Sequence, residues 1–469
     1  MPLNFSSSRI SEASPTRALA STGCILAAFS CLCGCQANQP PSPQAAPAPA
    51  ARAPIAPGPA PVRTLRIEVP AEVMTGLDVL ESGGFLQLRG KRIGLLTHPA
   101  GADRRGESAI DVLRRAPGVR LVELFGTEHG VYDTLPASTI YGDQIDPRTG
   151  LRICSLYNGH THVPTREQLK GLDALVVDLQ DIGVRTYTFA GAMKDAMEGC
   201  FENNVEVIVL DRPDPLGGLK VDGPPLDPQW MNPPGLVNAF PVPYVHGLTI
   251  GELARFAKDT PGVLRIPEAA RLRGRLTVVP MSGWRRSMRW PETGLAWIKT
   301  SEYIPDFSAV MGYPMTGLCA YVGHFSSGVG NEYPFRGIFN PLLKSETVKR
   351  ELDALHIPGL QFQWVSAPSP RTGKPATGLY IDVTDWDQWR PTELNFQLMR
   401  LACKLEPRNP FLLVSKGESE LFLTHMGSTA FYRDISAHGS RVDVEAYVEQ
   451  WQAEARAFQE RTRRYWLYP

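Results

Sequence analysis

The sequence predicts an α/β protein built on a parallel sheet covered on both faces, followed by a smaller α+β part. Three observations carry that prediction. From Leu65 onward, short apolar runs alternate with stretches of helical spacing, the pattern of strand-helix-strand units. The run at 174–177, Ala-Leu-Val-Val, leaves no solvent face and reads as a strand buried on both sides. It stops abruptly at Asp178-Leu179-Gln180-Asp181-Ile182-Gly183-Val184-Arg185-Thr186-Tyr187, where polar groups crowd more densely than a turn requires.

Residues 91–96 read as the first strand, 108–115 as a helix, 119–125 and 153–157 as strands, and 164–172 as a helix opened by Pro164. The central strand follows, then a helix over 189–204 and a strand over 205–210. Crossovers of this length are right-handed, so all the strands end at one edge of the sheet, where ligands of open α/β sheets bind. We place a boundary near 290. Residues 65–290 form the sheet domain and residues 291–469 the second domain, which begins irregular and Pro/Gly-rich to 341. A helix at 345–355 and an extended run at 378–383 come next. A terminal helix starts at the N-cap Asp443, with Val444, Tyr447, Val448, Trp451, Ala455 and Phe458 at helical spacing.

Each predicted strand ends in groups that a loop would not need. His98 follows the first, Gly126-Thr127-Glu128-His129-Gly130 the second, and Asp211-Arg212-Pro213-Asp214-Pro215 the last. A carboxylate beside a histidine, flanked by glycines that permit close backbone approach, suits a general acid or base. Asp178, Gln180, Asp181, Arg185 and Tyr187 become candidates through their place at the strand end, and the Asp211-Arg212 pair reads equally as a salt bridge at a turn. His98, His129, Asp178, Asp211 and His246 carry ligand atoms, but their scatter is not the spacing of a metal site, and no metal or other cofactor is expected.

Composition narrows the function classes. The 469 residues are 43% hydrophobic and 20% charged, ordinary globular material. Forty-eight basic residues balance forty-eight acidic ones, so no global field draws the chain to nucleic acid, and a neutral or mixed-charge substrate fits better. Nucleotide-binding, zinc-protease and serine-hydrolase signatures are absent from the sequence.

The apolar run 18–32, preceded by Arg9 and Arg17, has the layout of a secretory signal and is too short for a stable span. It ends in Leu32-Cys33-Gly34-Cys35, which resembles a bacterial lipobox with cleavage before Cys35 and diacylglycerol on its sulfur. Residues 1–34 are then a signal peptide, and the Pro- and Ala-rich stretch 35–64 is a semi-rigid tether. Gln36 in place of Asp favours the periplasmic side of the outer membrane in a diderm host. The mature cysteines, Cys154, Cys200, Cys319 and Cys403, show no ligand spacing and read as buried free thiols.

Five motifs together carry a family resemblance: Phe125-Gly126-Thr127-Glu128-His129-Gly130, Ser155-Leu156-Tyr157, the stretch from Asp178 to Thr188, Leu210-Asp211-Arg212-Pro213-Asp214-Pro215, and Tyr244-Val245-His246-Gly247-Leu248-Thr249-Ile250-Gly251-Glu252. In this order they resemble the NamZ-type exo-β-N-acetylmuramidases. The resemblance implies a Rossmann-like N-terminal domain and a smaller C-terminal one. It also implies removal of terminal N-acetylmuramic acid from peptidoglycan-derived saccharides, with Glu128 as the catalytic glutamate. We expect Asp181 as a second catalytic carboxylate, and His129, Asp178, Gln180, Arg185, Tyr187, Asp211, Arg212 and His246 around the substrate. Two stretches depart from the family pattern: Ala137-Ser138-Thr139 stands for Ala-Gly-Glu, and Tyr321-Val322-Gly323-His324 for Glu-Gly-Thr-Asn. The two missing carboxylates define the alternative expectation, a catalytically silent lipoprotein that binds muropeptides.

Overall fold

A computed structural model describes residues 73–469 except 234, 331 and 369–372. The signal sequence, Cys35 and the tether therefore lie outside the described residues. The N-terminal part is a seven-stranded sheet in the order β3-β4-β2-β1-β5-β6-β7. Its strands are β1 (Arg92–Thr97), β2 (Arg120–Gly126), β3 (Gln144–Ile145), β4 (Arg152–Ser155), β5 (Ala174–Asp178), β6 (Glu206–Leu210) and β7 (Leu276–Val279). All neighbours pair in parallel except the short edge strand β3. Counting the six parallel strands alone, the order is 3-2-1-4-5-6, the Rossmann arrangement, with the direction of winding reversing between β1 and β5.

The sheet is buried on both sides because its strands carry apolar residues on both faces. Ile93, Leu95, Leu124, Val176 and Ile208 pack under α1 (Gly76–Ser82) and α2 (Ala109–Arg114). Leu96, Phe125, Leu175, Val177 and Val209 pack against α3 (Thr188–Glu202) and α4 (Ile250–Asp259), in a core continuous with the C-terminal part. Helix α4 opens on a capping box formed by Thr249 and Glu252, which exchange hydrogen bonds between side chain and backbone and so satisfy two of the free N–H groups at its start. After α5 (Glu268–Arg273), the C-terminal part runs through α6 (Phe307–Thr316), β8 (Gly337–Ile338), α7 (Ser345–Leu355), β9 (Leu360–Pro368), β10 (Pro375–Val383) and α8 (Glu393–Leu405). It closes with α9 (Lys416–Met426), α10 (Ala430–His438) and α11 (Val444–Thr462). β8, β10 and β9 form a small antiparallel sheet.

Two expectations need correction. Residues 164–172 form turns rather than a helix: Thr165 and Gln168 exchange a capping-type pair of hydrogen bonds, but Gly171 at φ 80 ends the segment at once. The region to 341 is not irregular throughout, because it contains α6 with Pro314 and Gly312 inside it. The terminal helix starts where expected, with Asp443 accepting from Ala446 N at 2.9 Å.

Candidate active site

Glu128 sits just beyond the end of β2 and is 2% exposed. Its Oε1 accepts from Ser138 N at 3.0 Å and from Tyr157 OH at 3.4 Å, and its Oε2 accepts from Thr188 Oγ1 at 3.1 Å. Thr188 is the first residue of α3, so the carboxylate faces a positive helix end as well as three donors. Glu128, His129, Tyr187 and Thr188 line one side of a narrow recess whose interior holds about 30 Å³. Ser301, Tyr303, Tyr313 and Phe335 line the other side, so both parts of the chain build it.

His129 takes φ 68, and its Nδ1 lies 3.1 Å from Leu135 O. A carbonyl only accepts, so Nδ1 carries a proton, and in the neutral ring Nε2 is the acceptor. Behind it, Asp133 forms an ion pair with Lys299 at 2.7 Å and lies 3.8 Å from His98 Nε2. Burial alone would raise the Asp133 carboxyl, but His98 and Lys299 hold it below the usual range. Tyr187 donates to Thr300 O at 3.1 Å, which fixes the ring against the recess.

Gln180, Asp181 and His246 come together with Asp214 in a second polar cluster that does not line the recess. Asp181 is 5% exposed, accepts from Gly183 N at 2.8 Å, and lies 3.4 Å from His246 Nε2 without hydrogen-bond alignment. Tyr187 stands within electrostatic reach of both Asp181 and Glu128. Asp181, expected as a second catalytic carboxylate, stands in this cluster rather than in the lining of the recess. Gly183 is required here: it has φ 79, and a Cβ would meet Asp214 Oδ1 at 2.5 Å.

The remaining candidates are saturated by the interior. Asp178 is bridged twice by Arg212, at 2.5 and 3.0 Å, and Arg212 also donates to Ala102 O at 2.6 Å. Arg185 donates to Asn238 Oδ1 and to the carbonyls of Pro224, Val242 and Met426, which ties the sheet to the end of α9. Burial pulls its guanidinium down to about 10. Asp211 accepts from Thr249 Oγ1, Gly251 N, Arg212 N and Tyr468 OH, which anchors the C-terminal tail on the sheet. These four, expected around the substrate, do not line the recess. Each sits at a strand end like the true lining residues, and the sequence carried no sign that interior partners would consume its polar atoms. The missed lining residues Thr188, Tyr303, Tyr313 and Phe335 include three aromatics that only the tertiary fold brings to Glu128.

Among the described residues, no three His, Cys, Asp or Glu side chains stand where they could hold one metal ion. Cys154, Cys200 and Cys319 are buried free thiols, and Cys403 is free but half-buried.

Burial, reinforced by Asp181, pushes the Asp214 carboxyl up to about 7, against the opposing pull of His246, Leu216 N and Arg286. A carboxyl raised in the folded state stabilises it fully below the unfolded value of about 4 and loses that contribution as pH rises toward 7. We therefore expect stability to fall over that window and Asp214→Asn to flatten the fall by a few kcal/mol, roughly three pH units at about 1.4 kcal/mol each. Urea unfolding at pH 5 and pH 7.5 checks this. An unchanged difference between the two pH values in the variant contradicts it.

Together, a parallel sheet in Rossmann order and a buried carboxylate at its ligand-binding edge define an α/β protein whose candidate site is completed by a second, smaller unit. The chain belongs to the NamZ family. The model described as exo-beta-N-acetylmuramidase NamZ, N-terminal, matches residues 93–308, and its C-terminal counterpart matches 311–468. The chain is 34% identical over 401 residues to the peptidoglycan beta-N-acetylmuramidase NamZ of Bacillus subtilis strain 168, covering 85% of this chain and 92% of that protein. A DUF1343 family protein from Bacteroides fragilis superposes with TM-score 0.75 at 35% identity, over 85% of this chain and 99% of the other. A second from the same species, with TM-score 0.62 and 24% identity over the same shares, supports the fold.

Proposed function

We propose that the chain is a glycoside hydrolase that removes N-acetylmuramic acid from the non-reducing end of peptidoglycan fragments. The observation that carries this reading is Glu128, held by three donors at the mouth of α3 and open to a recess of tyrosines and a histidine. The kinship with a peptidoglycan beta-N-acetylmuramidase supports it. In its protonated form, from which the Tyr157 and Thr188 hydroxyls can turn to accept, Glu128 hands its proton to the departing glycosidic oxygen, and His129 Nε2, when the ring is neutral, accepts from a sugar hydroxyl or the attacking water. At about 30 Å³ the recess is smaller than a pyranose ring, so binding a whole ring requires it to widen.

The departures at 137–139 are compatible with catalysis. Ser138 takes φ 63, the conformation a glycine would adopt there, and its N–H still reaches Glu128. Turnover of a chromogenic muramic acid glycoside, measured with and without chelator, tests the activity. Chelator-insensitive turnover agrees with the proposal. Sugar binding without turnover supports the silent binder, and chelator-sensitive turnover points to a metal.

The apolar run 18–32 and the lipobox-like Leu32-Cys33-Gly34-Cys35 support the further reading that Cys35 is lipidated and holds the enzyme in the cell envelope, at the periplasmic side of the outer membrane in a diderm host. The wild type should then enter the detergent phase on partitioning, while Cys35→Ser stays unprocessed or is released without diacyl label. Equal partitioning with no label on either protein sinks the anchor.

A further inference from the structure

A larger cavity, about 370 Å³, lies beside the recess at Glu128. The two share the segment 333–336. Phe335, at φ 60, turns into the recess, while Tyr333, Pro334 and Arg336 turn into the cavity. The volume falls in the range of about 300–1,000 Å³ typical of small-molecule sites. Its floor is the face of the small sheet that presents Tyr380 on β10 and its register partner Gln363 on β9. Tyr333 meets the Tyr380 ring edge-on, centroids 5.8 Å apart, and forms an aromatic corner. Arg336 is buried beneath, donating to Ile381 O at 2.8 Å and Ser308 Oγ at 3.1 Å, with its guanidinium 4.8 Å from the centre of the Tyr380 ring. Asp306 and Glu332 complete the rim.

We propose that this cavity is a second saccharide site, which takes an uncharged N-acetylhexosamine ring. An aromatic corner offers a surface for the apolar C–H face of a pyranose, and the carboxylates and the amide accept from or donate to its hydroxyl and acetamido groups. Charge selects the sugar. Two carboxylates and one guanidinium line the cavity, and the guanidinium already serves protein acceptors, so the cavity repels the additional carboxylates of a muramic acid or a stem peptide. A neutral glucosamine-type unit carries no such penalty. The inference rests on the proposed function only in that a glycan is the natural ligand, with the cavity holding a neutral unit of the chain whose end enters the recess.

The test uses the full chain and chitotetraose, which contains no muramic acid. Isothermal titration should show binding to the wild type that persists in Glu128→Gln. Binding should weaken at least tenfold in Tyr380→Ala and also in Glu332→Ala, whose exposed position leaves folding intact. Both cavity variants should turn over a chromogenic muramic acid monosaccharide within twofold of wild type. Absence of wild-type binding, binding unchanged in both variants, or binding lost in Glu128→Gln overturns the second site. The monosaccharide assay on the wild type reads the proposed function separately.

Discussion

Glu128→Gln is expected to lower turnover of a natural N-acetylmuramic acid disaccharide by about 10²–10⁴, the contribution of a positioned acid. An unactivated sugar alkoxide departs poorly, so the proton matters most where the leaving group is most basic. An aryl glycoside, whose phenolate departs readily, should lose much less. Binding and folding should persist, because Gln keeps an oxygen for Ser138 N, and the Thr188 hydroxyl can turn to accept from the new amide. Initial rates on the two substrates, with melting temperatures of both proteins, check the prediction. Near wild-type activity on the disaccharide removes Glu128 from the acid role.

Asp178→Ala is expected to cost about 3–5 kcal/mol, because it leaves the Arg212 guanidinium charged and buried without its counter-ion. Burial already presses the Asp178 carboxyl upward, and Arg212 opposes that rise, so the pair persists only as a pair. Replacing both by apolar residues of similar volume should recover most of the loss. Urea unfolding of the single and double variants measures this, and a single-variant loss below about 1 kcal/mol contradicts the buried-pair account. Activity per folded molecule should change little, as expected of a residue that braces the sheet edge rather than touching a sugar.

The sheet was largely legible because burial on both faces writes itself as unbroken apolar runs, as at 174–177. Helices α2, α3 and α11 were legible through apolar spacing and, in α11, through the cap at Asp443. What failed failed for local reasons. The helix expected to open at Pro164 does not form: Thr165 and Gln168 exchange capping hydrogen bonds, but Gly171 ends the segment before a helix can form. Helix α6 was hidden by Gly312 and Pro314, and the reason for the glycine is tertiary: a Cβ at Gly312 would meet the Phe335 backbone at 2.5 Å. In the site, strand-end position located Glu128, His129 and Tyr187. It could not separate them from Asp178, Arg185, Asp211 and Arg212, because the same residue types at the same edge either face a cavity or bind the interior, and distant partners such as Met426 and Tyr468 decide which. The tyrosine wall was invisible for the same reason.

The most direct test of the central claim is the product formed from the disaccharide of N-acetylmuramic acid linked to N-acetylglucosamine. On incubation with the wild-type protein, chromatography with mass detection should show equimolar release of free N-acetylmuramic acid and N-acetylglucosamine, slowed by about 10²–10⁴ in Glu128→Gln. An intact disaccharide after exhaustive incubation with folded wild-type protein that binds it would contradict the account.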